Sequence, residues 1–214
     1  VYVDGMLVGE HTGAFTPFSV VLPDLPAGRH ELAVEVDNSF DGSNRLHLPY
    51  FDWYTYGGII RSVLVEELSS AFVEWVRVAV LCVDSPAQIQ LEARISGVPG
   101  APSLPREAEV VIRSQGEEQW SGRLEVTWEG LSGRAAALVE LGNPRLWHPD
   151  DPHLYTVEIR VGCDDLIDRF GVRTVEVRGR QLLLNGKPIV LKGFNRHEDH
   201  PDWGHALPGP LMWR

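Results

Sequence analysis

The sequence predicts an all-β protein, and three observations support this fold class. Short apolar stretches alternate with polar residues at period two, which is the pattern of half-buried strands. The 21 glycines and 15 prolines are spread evenly and separate these stretches with turns. No segment of 12 or more residues shows a helical period. The 214-residue chain is 43% hydrophobic and 23% charged, so it can bury a core and general disorder is excluded.

Residues 1–69 are expected to form a first β unit. An Asp4-Gly5 pair between two apolar stretches is a strong signal for a hairpin turn. Leu32, Val34 and Val36 alternate with polar neighbours, which predicts a half-buried strand. The Ser69-Ser70 pair is the expected linker to the next unit.

Residues 70–177 are expected to form a second β unit. About seven strands in roughly 100 residues is the spacing of an immunoglobulin-like sandwich. The predicted strands lie at 76–80, 89–95, 108–113, 123–128, 135–141, 156–161 and 173–177.

The pattern changes in residues 178–214. A strand at Gln181 to Leu184 and an Asn185-Gly186 turn predict a hairpin. The following run, Pro188 to Phe194, is almost entirely apolar and fits a strand buried on both faces, as in a parallel barrel. The polar residues after it would stand at the carboxyl end of that strand, where barrels place their active sites.

Charge and composition exclude several partners. The net charge of −11 disfavours nucleic acid and anionic membranes, and no apolar run approaches the roughly 20 residues that span a bilayer. Cys82 and Cys163 are too few to staple a domain of this size, so we expect two free core thiols, although tryptophans between them resemble an immunoglobulin Cys…Trp…Cys pattern. Free thiols favour a cytoplasmic location. The chain opens at Val1 inside a strand pattern, which leaves a signal peptide open.

Two clusters could carry chemistry, and neither contains a phosphate-binding glycine motif. In the first, Phe51 to Arg61, Asp52 stands among four aromatic rings. Aromatic faces stack on sugar rings, and a carboxylate accepts hydrogen bonds from neighbouring hydroxyls. From the residues alone, core packing of the rings with Asp52 in a solvated turn is the favoured interpretation.

The second cluster is Gly193 to His205, which is rich in histidine and acidic residues. The spacing His197-x-x-His200 could supply half of a metal site, but irregular backbone fixes no ligand geometry. An active-site loop after a barrel strand is the better functional interpretation, and a solvated loop stays open as the alternative.

Three strings together resemble glycoside hydrolase family 2, the group of β-galactosidases, β-glucuronidases and β-mannosidases. They are FDWYTYGGIIRSV at 51–63, LWHPDDPHLYTVEI at 146–159 and LLLNGKPIVLKGFNRHEDHP at 183–201. VGEHTGAFTPFSV at 8–20 is also similar to the sugar-binding domain of that family. The resemblance covers nearly the whole chain. The stretch from His200 to Gly204 departs from the usual sequence of the family, so the resemblance does not identify the sugar.

The resemblance implies three domains. They are a jelly-roll sugar-binding domain at 1–69 whose N-terminal part is missing, an immunoglobulin-like sandwich at 70–177, and the start of a (β/α)8 catalytic TIM barrel at 178–214. It also implies that Asp52 reaches the active site and holds sugar hydroxyls, and that His197 contacts the bound sugar. Asn195 is expected to join them in binding substrate. No cofactor is implied, apart from a cation near Asp52 in the full-length protein.

The function implied by the resemblance is that of a fragment of a retaining β-glycosidase, with a terminal β-galactoside as the favoured substrate. Retaining enzymes need two carboxyl groups, and the family's acid/base Glu follows an Asn. The sequence contains no Asn-Glu dipeptide, so we expect no catalytic residue here and an inactive chain. A β-glucuronidase parent, a non-catalytic carbohydrate-binding module and an architectural spacer are the alternatives. The expected partner is carbohydrate, and homo-oligomerisation is left open.

Overall fold

The predicted all-β fold class is confirmed. A computed structural model describes residues 1–13, 15–22, 25–39 and 57–212. These residues form fourteen strands and one short helix, α1 (Gly209–Met212). They divide into two compact units, unit 1 with Val1–Val65 and Phe194–Arg214, and unit 2 with Glu66–Gly193. No helix among the described residues is long and apolar enough to cross a membrane.

Unit 1 contains a small antiparallel sheet. Its strands are β1 (Tyr2–Val3), β2 (Met6–Leu7) and β3 (Leu32–Ala33), in the order β2-β1-β3. The predicted hairpin is confirmed, with Asp4 at φ 49° and Gly5 at φ 78°, the left-handed pair that a type I′ turn requires. The strand predicted at 32–36 is shorter than expected, because only its first two residues pair with β1.

Unit 2 is a sandwich of two four-stranded antiparallel sheets, which agrees with the predicted immunoglobulin-like architecture. One sheet has the order β4-β5-β9-β8 and the other the order β11-β10-β6-β7. The strands are β4 (Ala71–Cys82), β5 (Ala87–Gly97), β6 (Glu107–Ser114), β7 (Glu117–Glu125), β8 (Thr127–Glu129), β9 (Ser132–Leu141), β10 (Tyr155–Val161) and β11 (Asp164–Phe170). A separate hairpin sheet follows, with β12 (Val175–Arg178), β13 (Gln181–Leu184) and β14 (Lys187–Pro188).

The core lies between the two sandwich sheets. Alternation in β5 buries Ile89, Leu91 and Ile95 completely, and β10 contributes Val157 and Ile159 from the facing sheet. This is the burial expected when every second residue of a strand points inward.

Tryptophan rings cover glycines at two places in the sandwich strands of unit 2. Trp128 lies opposite Gly133 across the β8–β9 pair, and Trp120 lies two residues from Gly122 on β7. A Cβ added at Gly133 would come within 2.8 Å of the Trp128 ring, and one at Gly122 within 2.6 Å of the Trp120 ring. Glycine is therefore required at these positions because the ring occupies the space of the missing side chain.

Tyr155 anchors an ordered corner before β10. Its side chain is 3% exposed, and its hydroxyl accepts a hydrogen bond from the backbone N–H of Arg145 at 2.9 Å. Immunoglobulin-like sandwiches commonly contain such a tyrosine, which bonds back to the preceding backbone. A bridge between His148 and Asp151 closes the turn.

The structure differs from the sequence-based expectation at the apolar run after β14. No strand is present between Ile189 and Phe194, and Val190, Leu191 and Phe194 are all at least 73% exposed. A strand buried on both faces needs packed layers on those faces as well as hydrogen-bonded strands at its edges. Among the described residues, Ile189 alone of this run continues the pairing, through its N–H and the carbonyl of Leu182 at 2.9 Å.

The two cysteines are free, as predicted from their number. Their expected place in the core is only partly correct. Cys82 is half-buried at the end of β4, whereas Cys163 is exposed in the turn between β10 and β11.

Glu158 is the one buried charged residue recorded for the described part of the chain. It lies on the outer face of β10, where Arg113 donates a hydrogen bond to it at 2.5 Å and Arg160 forms a second ion pair. The hydrogen bond from Arg113 is the main reason that the pKa of Glu158 lies below its ordinary value, against the opposing effect of burial.

A lowered pKa in the folded state stabilises the fold above the ordinary carboxyl pKa and loses that effect as pH falls through the folded value. We expect Glu158→Gln to lower the unfolding free energy at neutral pH by about 1–3 kcal/mol. Below a pH near 4.5, the ordinary pKa of the group, the difference between the two proteins should shrink.

Denaturant titrations across the acid range measure the unfolding free energy of both proteins. Glu109→Gln is the matched control, because Glu109 is paired with Arg123 on the neighbouring strand but is 53% exposed. Equal losses in the two variants would contradict the special role of Glu158.

Candidate functional site

The sequence-predicted site residues fall in two places. Asp52 lies outside the described residues, so its sugar-binding role and any cation beside it stay predictions. Asn195 and His197 are described, and both are exposed at the start of the irregular segment of unit 1 that follows the apolar run.

A compact loop follows His197. We call residues 198–205 the histidine loop. Its central turn is closed by backbone hydrogen bonds between His200 and Gly204 in both directions, at 2.8 and 3.2 Å. Gly204 has φ 53°, a left-handed conformation that favours glycine. These bonds give the loop a definite shape without a regular strand or helix.

Two histidines of the loop have hydrogen bonds that define which of their ring nitrogens carries a proton. Nδ1 of His205 lies 2.9 Å from the carbonyl oxygen of Glu198. Because a carbonyl can only accept, this nitrogen carries the proton. Nδ1 of His200 accepts a hydrogen bond from the backbone N–H of Asp202 at 3.1 Å, so it is the unprotonated nitrogen of that ring. The histidine loop is therefore closed from inside by its own side chains.

Arg61 joins the two ends of the histidine loop. One guanidinium nitrogen lies 2.9 Å from the Glu198 carboxylate, and the other donates to the carbonyl of His205 at 3.0 Å. The second nitrogen also donates to the carbonyl of Ile60 at 2.9 Å. We call this set of contacts the arginine clasp. It connects residues that are 137 and 144 positions apart in sequence.

Arg61 was not recognised as a site residue from sequence. The signal available was its position in the string GGIIRSV, directly after the aromatic cluster around Asp52. That position gave no indication of a partner, because Glu198 and His205 become neighbours only through folding.

His197 and His200 were considered from the sequence as two ligands of a metal site, and the described residues place no third ligand beside them. Among residues 1–13, 15–22, 25–39 and 57–212, no group of three or more His, Cys, Asp or Glu residues could hold a metal ion. Nδ1 of His200 is already used by the Asp202 amide.

Comparison with protein families gives two matches along the chain. Residues 71–173 match the family model described as glycosyl hydrolases family 2, and residues 175–214 match that of the family's TIM barrel domain. These segments contain the sandwich of unit 2, the hairpin sheet, Asn195 and His197. The chain therefore belongs to glycosyl hydrolase family 2.

Individual relatives of the chain are also glycosidases. The chain is 31% identical to a β-galactosidase of Thermoanaerobacter pseudethanolicus, over 97% of this chain and 29% of that protein. It is 28% identical to a β-glucuronidase of Paenibacillus borealis, over 97% of this chain and 37% of that protein. A crystal structure of a β-galacturonidase from Eisenbergiella tayi bound to galacturonate shares 34% identity and a TM-score of 0.82, over 99% of this chain and 38% of that one. The chain thus spans about a third of the length of these relatives.

Proposed function

We propose that this chain is the substrate-binding front portion of a retaining β-glycosidase that removes a terminal β-linked sugar. The match of residues 175–214 to the TIM barrel domain carries the proposal, because Asn195 and His197 stand in that segment and are exposed. Asp52, Asn195 and His197 are assigned to binding sugar, and Asp52 is expected to reach the same bound sugar as His197. None of the three is assigned to bond cleavage.

The proposed substrate has a galacto-configured ring, with a β-galactoside as the first candidate. The 31% identity to a β-galactosidase over 97% of this chain supports it. A β-galacturonide is the second candidate, since the β-galacturonidase structure bound to galacturonate is similar over 99% of this chain. The two sugars share their ring configuration and differ at C6, where galacturonate carries a carboxylate.

Binding can be measured on the 214-residue chain itself. We expect methyl β-galactoside to shift the His197 imidazole signals in an NMR titration with a Kd of about a millimolar, roughly −4 kcal/mol. His197→Gln should abolish binding, measured in this variant and its control on the NMR signals of the sugar itself, because the variant lacks the imidazole. His148→Gln, at an exposed histidine of unit 2, is the matched control and should leave it intact. Tighter binding of methyl β-galacturonide would select the second candidate, and no response to either sugar would contradict the proposal.

Hydrolysis is a separate measurement. Retaining cleavage needs two carboxyl groups about 5–5.5 Å apart on rigid elements. The sequence lacks the Asn-Glu pair that marks the family's acid/base residue, so we expect no turnover of nitrophenyl β-galactoside or β-glucuronide above background. Turnover that disappears in Asp52→Ala would show that Asp52 is catalytic and that its assigned role is wrong. Sugar binding without turnover is also expected of a non-catalytic module, and hydrolysis by a longer chain with barrel carboxylates separates the two.

A further inference from the structure

We infer that Arg61 is a positioning residue, which holds the histidine loop in one shape and thereby orients the imidazole of His197 toward bound sugar. The inference rests on the proposed sugar contact of His197. It assigns to Arg61 an action through its neighbours and no contact with the sugar itself.

The first argument is the placement of the two hydrogen bonds. Arg61 donates to the side chain of Glu198, at the beginning of the histidine loop, and to the backbone of His205, at its end. Arg61 thereby adds a second connection between the two ends, beside the hydrogen bond from His205 Nδ1 to the Glu198 carbonyl. Contacts at both ends limit the distance between the first and last residues of the loop. The internal turn between His200 and Gly204 limits the path of the residues between them.

The second argument is the chemistry of the side chain. A guanidinium is planar and presents five donors in a fixed fork, so it can serve a carboxylate and two carbonyls at once. An isolated exposed ion pair contributes little to stability. The Arg61–Glu198 pair is half-exposed, and its effect is therefore expected on local geometry more than on global unfolding.

The third argument connects the clasp to His197. Glu198 is held through its carboxylate by Arg61 and through its carbonyl by Nδ1–H of His205. With its side chain and its backbone both anchored, the Glu198 residue has little freedom to rotate. His197 directly precedes Glu198 in the chain, so the position of its backbone depends on the same anchors.

The test uses the complete 214-residue chain and two readouts. Amide hydrogen exchange of Trp203 and Gly204, whose N–H groups bond to the His200 carbonyl, reports the shape of the loop. Arg61→Met removes the donors while keeping an unbranched side chain. We expect exchange at these amides to become at least about fivefold faster, a change of about 1 kcal/mol in local opening. Arg61→Lys, which keeps the charge but not the fork, should restore only part of the protection.

Arg178→Met is the matched control. Arg178 also forms an exposed ion pair at 3.0 Å, with Glu176 in the hairpin sheet of unit 2, and has no bond to the histidine loop. This variant should leave exchange at Trp203 and Gly204 unchanged. Ile89, in the core of unit 2, should keep its protection in all variants.

The second readout is the sugar titration followed at His197. We expect Arg61→Met to weaken the Kd at least about fivefold and Arg178→Met to leave it unchanged. Unchanged loop exchange in Arg61→Met overturns the inference. Faster exchange with unchanged sugar affinity also overturns it, because the loop would then move without affecting His197. Absence of a sugar response in the unmodified chain overturns the proposed function and, with it, the role assigned here.

A variant that loses unit 1 altogether is recognised by collapse of the β1–β2 amide signals. Glu198→Gln then decides, since it keeps an acceptor at the same position and removes the charge. We expect an intermediate increase in loop exchange, and an unchanged rate would overturn the inference.

Discussion

Replacement of Ile159 by alanine should lower the unfolding free energy by about 2–5 kcal/mol. Ile159 is fully buried in β10, between β11 and β6 in its own sheet, and points at the facing sheet. Its removal leaves a cavity that neighbouring strands, held by ladders on both sides, cannot close. The loss therefore includes the transfer free energy of the deleted methyl and methylene groups and the cavity left behind.

Ile167→Ala is the matched control for this prediction. Ile167 lies on the adjacent strand β11 and has the same side chain, but it is 61% exposed. Its replacement should cost about 0.5 kcal/mol or less. Guanidinium titrations followed by far-UV circular dichroism measure both. A loss below about 1 kcal/mol for Ile159→Ala would contradict the core assignment.

Replacement of Trp147 by alanine should cost about 3 kcal/mol, at the lower end for an aromatic because the ring is only half-buried. Trp147 packs against Gly171, where an added Cβ would stand 2.7 Å from the Trp147 Cβ. The Arg173 guanidinium lies 4.4 Å from the ring centroid. Truncation keeps the Cβ but removes the contact of the ring with Gly171 and the cation–π contact.

The backbone of Trp147 explains why the corner cannot easily adapt. Its N–H donates to the carbonyl of Val172 at 2.9 Å, and its carbonyl accepts from the Asn185 side chain at 3.2 Å. The chain is thus held in place when the ring is removed. Trp75→Ala is the control, because Trp75 also lies beside an arginine, at 5.6 Å, but on an exposed face of β4. It should cost about 1 kcal/mol or less. Equal losses in the two variants would place Trp147 outside the packed corner.

Local patterns predicted much of the β structure correctly. The Asp4-Gly5 and Asn185-Gly186 turns were predicted because left-handed φ angles restrict the residues that a tight hairpin accepts. The strict alternation in β5 indicated a strand with one buried face. Strand β11 was missed, since its sequence DDLIDRF places aspartates on an edge strand, where only pairing with β10 reveals the structure.

In the candidate site, too, some residues were predicted from the sequence and others were missed because their partners are distant in the chain. Asn195 and His197 were identified by resemblance to a family, and both fall in the segment that matches its TIM barrel domain. Arg61 was missed, because its interaction partners are 137 and 144 residues away. The run Pro188 to Phe194 was predicted to be a strand buried on both faces. Its side chains are largely exposed, because hydrophobicity alone provides no neighbouring strand.

The all-β class, the turns and the faces of most strands follow from local patterns, since they depend on interactions between residues close together in the chain. The family follows from strings whose order and spacing are specific. Folding was needed to reveal the strand order of the two sheets, the burial of Glu158 between two arginines, and the arginine clasp around the histidine loop. Each of these depends on groups far apart in sequence, whose approach is decided by the packing of the whole unit and not by any local preference.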